Sequence, residues 1–157
     1  MNQEVEGKSG KDLSNIFLRY FVGHRGKYGR EFIEFSFESN GVLKYINDSS
    51  YKKDGSLSDC FVCEEKIIET VRNLIQESGI FRCNDANWPL PNQGGRQELE
   101  IAINDVHYSF VTSKINSTEE AKSCEDPQGV ATFYKFVQDI RSLFNALVQI
   151  HRQASPV

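Results

Sequence analysis

Eight consecutive residues, Gly23-His24-Arg25-Gly26-Lys27-Tyr28-Gly29-Arg30, bring together three glycines, three fixed cations, a histidine and an aromatic ring. Such a segment could cradle a phosphate on backbone N–H groups, grip a nucleic acid, or present charge to another protein. The spacing argues against the first. The glycines recur every third residue, whereas a pyrophosphate cradle needs G-x-G-x-x-G opening into a helix. Glu31-Phe-Ile-Glu-Phe-Ser-Phe-Glu38 follows instead, with the alternation of a strand. Lys52 and Lys53 add charge, and Tyr28 and Tyr51 add rings, so Arg25, Lys27, Arg30 and Lys52 are candidates for a docking patch. A solvated loop is the plainer alternative.

Other chemistry is weaker. Glu98 and Glu100 share a face, but the alternation puts that face in solvent, so an ordinary polar sheet surface outweighs a paired-carboxylate acid–base site. Cys60 and Cys63 form a lone C-x-x-C in a strand-like segment, where residues three apart point to opposite faces. His24, His107 and His151 are scattered. No metal site, cofactor site or nucleophile motif is expected, and the chain does not read as an enzyme.

These residues must be held by a framework. At 157 residues, with 11 Phe and 6 Tyr, one domain with a sizeable core is expected. The net charge of −4 argues against broad nucleic-acid affinity, which needs a basic field. No apolar run approaches the roughly eighteen residues of a membrane span, so no membrane association is expected. Residues 1–15 are polar and lack a signal-peptide core, which predicts a disordered tail on a chain of the cytosol or nucleus. The four cysteines are then expected as thiols.

Ile16–Val22, Glu31–Phe37, Val42–Ile46 and Leu57–Val62 read as strands, with a turn at Asn40-Gly41. Ile67, Ile68, Val71, Leu74 and Ile75 switch to one face of a helix that ends at Gly79. Trp88-Pro-Leu-Pro91 forbids a regular element, and 80–96 reads as an ordered loop pinned by the only tryptophan. Leu99, Ile101 and Ile103 open a hairpin turning at Asn104-Asp105. Asp126-Pro127 caps a final helix, Val130–His151. The pattern is α+β: an antiparallel sheet with both helices on one face.

The last helix carries too much apolar surface. Its hydrophobic residues fill an arc of about 200°, against the ~100° stripe that seats a helix on one core. Phe133, Val137, Phe144 and Val148 can face the sheet. Phe136, Ile140, Leu143, Leu147 and Ile150 are left over, to be covered by the first helix and loops or by a partner.

Several long segments resemble the Mago nashi family. They are Phe17–Phe35 at the opening hairpin, Tyr45-Ile-Asn-Asp-Ser-Ser-Tyr-Lys-Lys-Asp54, Trp88-Pro-Leu-Pro91, Gly95-Arg-Gln-Glu-Leu-Glu-Ile-Ala-Ile103, Ser109-Phe-Val-Thr-Ser-Lys-Ile115 and Phe133-Tyr-Lys-Phe-Val-Gln-Asp-Ile140. The resemblance runs over 16–157 without a gap. It implies a six-stranded antiparallel sheet with two long helices, plus a short one, packed on one face.

It also implies a non-catalytic core subunit of the exon junction complex without a cofactor. Such a chain forms an obligate heterodimer with an RNA-recognition-motif protein. The pair clamps a DEAD-box RNA helicase on spliced mRNA and inhibits its ATP turnover, with mRNA held only indirectly. Roles in splicing, mRNA export and localisation, and nonsense-mediated decay follow from the resemblance, as does a nuclear chain that shuttles to the cytoplasm.

By position, Leu147 falls in the helix that meets the RNA-recognition-motif partner, and the helical wheel adds Phe136, Ile140, Leu143 and Ile150 to that face; Lys27 and Lys52 match family lysines in loops at the surface that engages the helicase and other binders. The departures are Gln128, where the family has Glu, Leu90 in place of a proline, and a first helix similar in pattern more than identity. Direct RNA binding through the Gly23–Arg30 loop is the alternative.

Overall fold

The computed structural model describes residues 15–51 and 55–154. The expectation for the tail therefore lies outside the described residues, Asn15 excepted. Six strands form one antiparallel sheet: β1 (Ile16–Gly26), β2 (Gly29–Glu38), β3 (Val42–Ser49), β4 (Ser56–Val62), β5 (Arg96–Ile103) and β6 (Val106–Thr112). Their order across the sheet is β4-β3-β2-β1-β5-β6. Three helices complete the α+β fold: α1 (Glu65–Ser78), α2 (Thr118–Lys122) and α3 (Pro127–Ala154).

Alternation decides which face is covered. Ile16, Leu18, Tyr20 and Val22 of β1 are buried, as are Phe35 and Phe37 of β2 and Leu99, Ile101 and Ile103 of β5. Burying one face of the sheet fixes register, because a slip of one residue would turn every one of these side chains to water.

The β1–β2 hairpin is longer than the sequence predicts. Gly23 pairs with Phe32, Arg25 with Arg30 and Gly26 with Gly29, leaving only Lys27 and Tyr28 in the turn. The segment read as a loop is therefore mostly strand. Glycine and arginine favour strands weakly, but pairing with β2 overrides that preference.

Helix α3 crosses the sheet diagonally. Near its start Phe133 lies 5.1 Å from the Trp88 ring. In the middle Phe144 packs on Phe35 and Phe37, at 5.4 and 5.6 Å. Near its end the Arg152 guanidinium donates to Asp59 of β4 at 2.6 Å, and His151 stacks on Phe61 at 4.2 Å. The side chain of Asp126 caps this helix, accepting from the Gly129 N–H at 3.1 Å. Its other oxygen accepts from the Trp88 indole N–H at 3.0 Å. The helix runs from Pro127 to Ala154, three residues beyond the expected Val130–His151 at each end.

Helix α1 buries Ile68, Val71 and Ile75 and stops where Gly79 takes the left-handed conformation, φ 81°. Glycine alone adopts that conformation without steric cost, which ends the helix here. The stretch 80–96 holds two short 3₁₀ turns, Ile80–Arg82 and Asp85–Asn87. It also covers the β6 edge: Asp85 accepts from the Val111 N–H at 2.8 Å, and the Pro89 carbonyl accepts from the Ser113 N–H at 3.1 Å.

Candidate partner interface

The five left-over residues of the last helix do not share one environment. Phe136 and Ile140 are each only 1% exposed and belong to the core. This corrects their placement on the partner face: the chain itself, the other cover left open for them, buries both. The wheel reading assigned the sheet as the main cover, whereas α1 packs against the same helix and closes over its flank. Leu143 and Leu147 are half-buried against the core, and Ile150 is 61% exposed. The uncovered apolar strip thus narrows to Leu143, Leu147 and Ile150. A groove of about 460 Å³ between α1 and α3, lined by Leu74, Ala131, Thr132 and Phe136 among others, lies on the flank that α1 covers.

The second surface is the end of the β1–β2 hairpin. Arg25, Lys27 and Arg30 are all exposed. Tyr28 is 81% exposed, with the Lys27 ammonium 5.5 Å from its ring centre. The chain after β3 is fastened to this hairpin. The Arg30 N–H donates to Ser50 Oγ at 2.7 Å, the Ser50 N–H donates to the Arg30 carbonyl at 2.9 Å, and Tyr51 stacks on His24 at 6.0 Å. Lys52, the fourth candidate of this patch, and Lys53 lie outside the described residues.

Sequence reasoning missed the surface behind the hairpin, on the sheet face away from the helices. Phe21 and Phe32 stack there at 5.3 Å, in a groove of about 560 Å³ shared with Arg25, Arg30, Pro91 and Arg96. Alternation was the available signal: Phe21 is out of phase with buried Tyr20 and Val22, and Phe32 with buried Phe35. On the same face Arg19 reaches Glu34 at 2.7 Å and Glu98 at 3.0 Å, and Glu98 also binds Arg96 at 2.5 Å. Burial opposes ionisation of Glu98. Hydrogen bonds from Arg96 and Arg19 outweigh it and hold the carboxyl below its usual range. Glu98 is therefore the centre of a cross-strand ion-pair cluster.

Cys60 is exposed and Cys63 buried, on opposite sides of the β4 end. Burial pushes the Cys63 thiol up, away from thiolate chemistry. Among the described residues no three His, Cys, Asp or Glu side chains gather to hold a metal, and no helix is long and apolar enough to cross a membrane.

A helix-backed antiparallel sheet, with an apolar helix strip at one end and a charged hairpin at another, defines an α+β protein. The family model of the Mago nashi protein matches residues 16–157. The chain belongs to the Mago nashi family, a non-catalytic family, and has in general terms the exon-junction-complex type of role in mRNA processing that membership carries.

Proposed function

We propose that this chain is the core subunit that pairs with an RNA-recognition-motif protein, through the α3 strip and the neighbouring α1 surface. The pair clamps a DEAD-box RNA helicase on spliced mRNA, slows its ATP turnover, and touches mRNA only through the complex. On this reading the chain is nuclear and shuttles to the cytoplasm, serving splicing, export, localisation and nonsense-mediated decay.

One observation carries the reading. Ile150 stands in solvent beside half-buried Leu147 and Leu143, on a helix whose opposite side is wholly packed. An apolar strip of this kind is more than one core needs, and it fits a partner surface. Arg25, Lys27 and Arg30 fit the charged contact with the helicase, with Lys52 as their companion in sequence.

Purification of the tagged chain from nuclear extract, with identification of what comes with it, tests the reading. A one-to-one RNA-recognition-motif partner is expected. Its absence would remove the proposal.

Direct RNA binding has one observation in its favour, the stacked Phe21–Phe32 pair beside three arginines. Two of those arginines are already engaged: Arg96 with Glu98, and Arg30 with Asp48 at 3.7 Å. With a net charge of −4, RNA binding by the pure chain would need to be tight and steeply salt-dependent to displace the first reading.

A further inference from the structure

The diagonal course of α3 leaves one corner of the inner sheet face open. Helix α1 fills the corner toward Gly41 and Cys63. The opposite corner, at the base of the β1–β2 hairpin, is a notch of about 390 Å³, with Val22, Gln97, Lys114, Asn47, Glu31 and Arg141 among its lining residues. Its floor is already satisfied. The Tyr20 hydroxyl donates to Gln97 Oε1 at 2.5 Å, and Gln97 Nε2 donates to the Ser113 carbonyl at 2.9 Å.

Its cations lack a carboxylate partner among the described residues: Arg141 has the Tyr20 phenol as its hydrogen-bond partner. Arg141 is half-buried, with its guanidinium 5.9 Å from the Tyr20 ring centre. Burial pushes the Tyr20 hydroxyl up against the opposing pull of Arg141, so the guanidinium faces a neutral phenol. Among the described residues no carboxylate forms an ion pair with Arg141 or Lys114. Lys114 is held in place by its stem, which lies where a Cβ on Gly95 would come within 2.7 Å. Glu31, the notch's own carboxylate, accepts from Ser49 Oγ at 3.0 Å on the β2–β3 side. The notch therefore gathers two cations, Arg141 and Lys114, with one carboxylate, Glu31.

We propose that this notch binds a carboxylate side chain of an extended segment from a protein partner. Arg141 offers a planar, donor-rich fork that suits a carboxylate, and Lys114 adds a second charge. The peptide backbone N–H groups beside that side chain suit the acceptors of Glu31 and Asn47, which also line the notch. Glu31 in the same notch opposes a phosphate, which carries up to two negative charges, more than a singly charged carboxylate. The site is separate from the α3 strip and the hairpin tip, so it stands or falls independently of them.

The test is an NMR titration of the isotope-labelled full chain with N-acetyl-Gly-Asp-Gly amide, with N-acetyl-Gly-Asn-Gly amide and inorganic phosphate as parallel arms. The Asp peptide is expected to shift the Arg141 Nε–H and Gln97 side-chain amide signals saturably, and the Asn peptide and phosphate are not. Arg141→Gln and Lys114→Gln are each expected to weaken the Asp peptide about tenfold, the scale of one lost charge-assisted hydrogen bond. Lys114→Arg should retain binding, and Lys122→Gln, at an exposed lysine outside the notch, should leave it unchanged. Equal shifts from the Asn peptide, preferential phosphate binding, or loss on Lys122→Gln with none on Lys114→Gln would overturn the proposal.

Discussion

Arg25 and Arg30 stand directly opposite each other across the β1–β2 pair. Both are exposed, and among the described residues only Arg30 forms an ion pair, with Asp48 at 3.7 Å. Like charges in facing positions destabilise a strand pair. The pair therefore costs the free chain stability, and it suits the charged docking contact proposed above.

Replacing Arg25 by Glu turns the repulsive pair into an attractive one. The free chain should gain about 0.2–1 kcal/mol, read as a raised urea midpoint. Helicase docking should weaken in the same variant. Falling stability together with unchanged docking would contradict both halves of the argument.

Leu147→Arg should abolish pairing with the RNA-recognition-motif protein. A charge left unpaired in the closed interface costs about 3–5 kcal/mol. Since Leu147 is half-buried in the free chain, circular dichroism must show that the variant still folds. Isothermal titration calorimetry then decides, and wild-type affinity would show that the α3 strip is not the contact.

Acid should loosen the chain partly through Glu98. Its carboxyl is depressed in the folded state, so its contribution is present above the unfolded value, about 4.3. That contribution is lost as pH falls through the lower folded value. Glu98→Gln should lower stability near neutral pH and flatten the acid limb of a melting-temperature profile. An acid limb of unchanged slope would assign it to other carboxylates.

Gly79→Ala forces a Cβ into the left-handed conformation at the α1 terminus. A cost of about 1–2 kcal/mol is expected, measured by denaturant melts. A neutral result would mean that α1 ends in another way.

Much of the fold was legible because burial of one sheet face leaves a period-two trace. The strands, α1 with its Gly79 stop, the Asn104-Asp105 turn and the Asp126 cap all carry local signals. The long hairpin did not, since its pairing lies between segments whose residues favour strands weakly. The burial of Phe136 and Ile140 was hidden for a different reason. A helical wheel gives a face but not the neighbour that covers it, and the position of α1 is set by tertiary packing. The notch between Arg141 and Lys114 was invisible too, because it arises from the crossing angle of α3 and has no sequence period.

Trp88 is the only tryptophan. It is 4% exposed and its indole is tied to the capping residue of α3. The chain thus contains its own optical gauge. Intrinsic emission reports the seating of the helix at its first turn, whereas the proposed partner strip lies toward the other end of the same helix. A variant in that strip can be checked for a properly seated helix by fluorescence alone, before any binding partner is added.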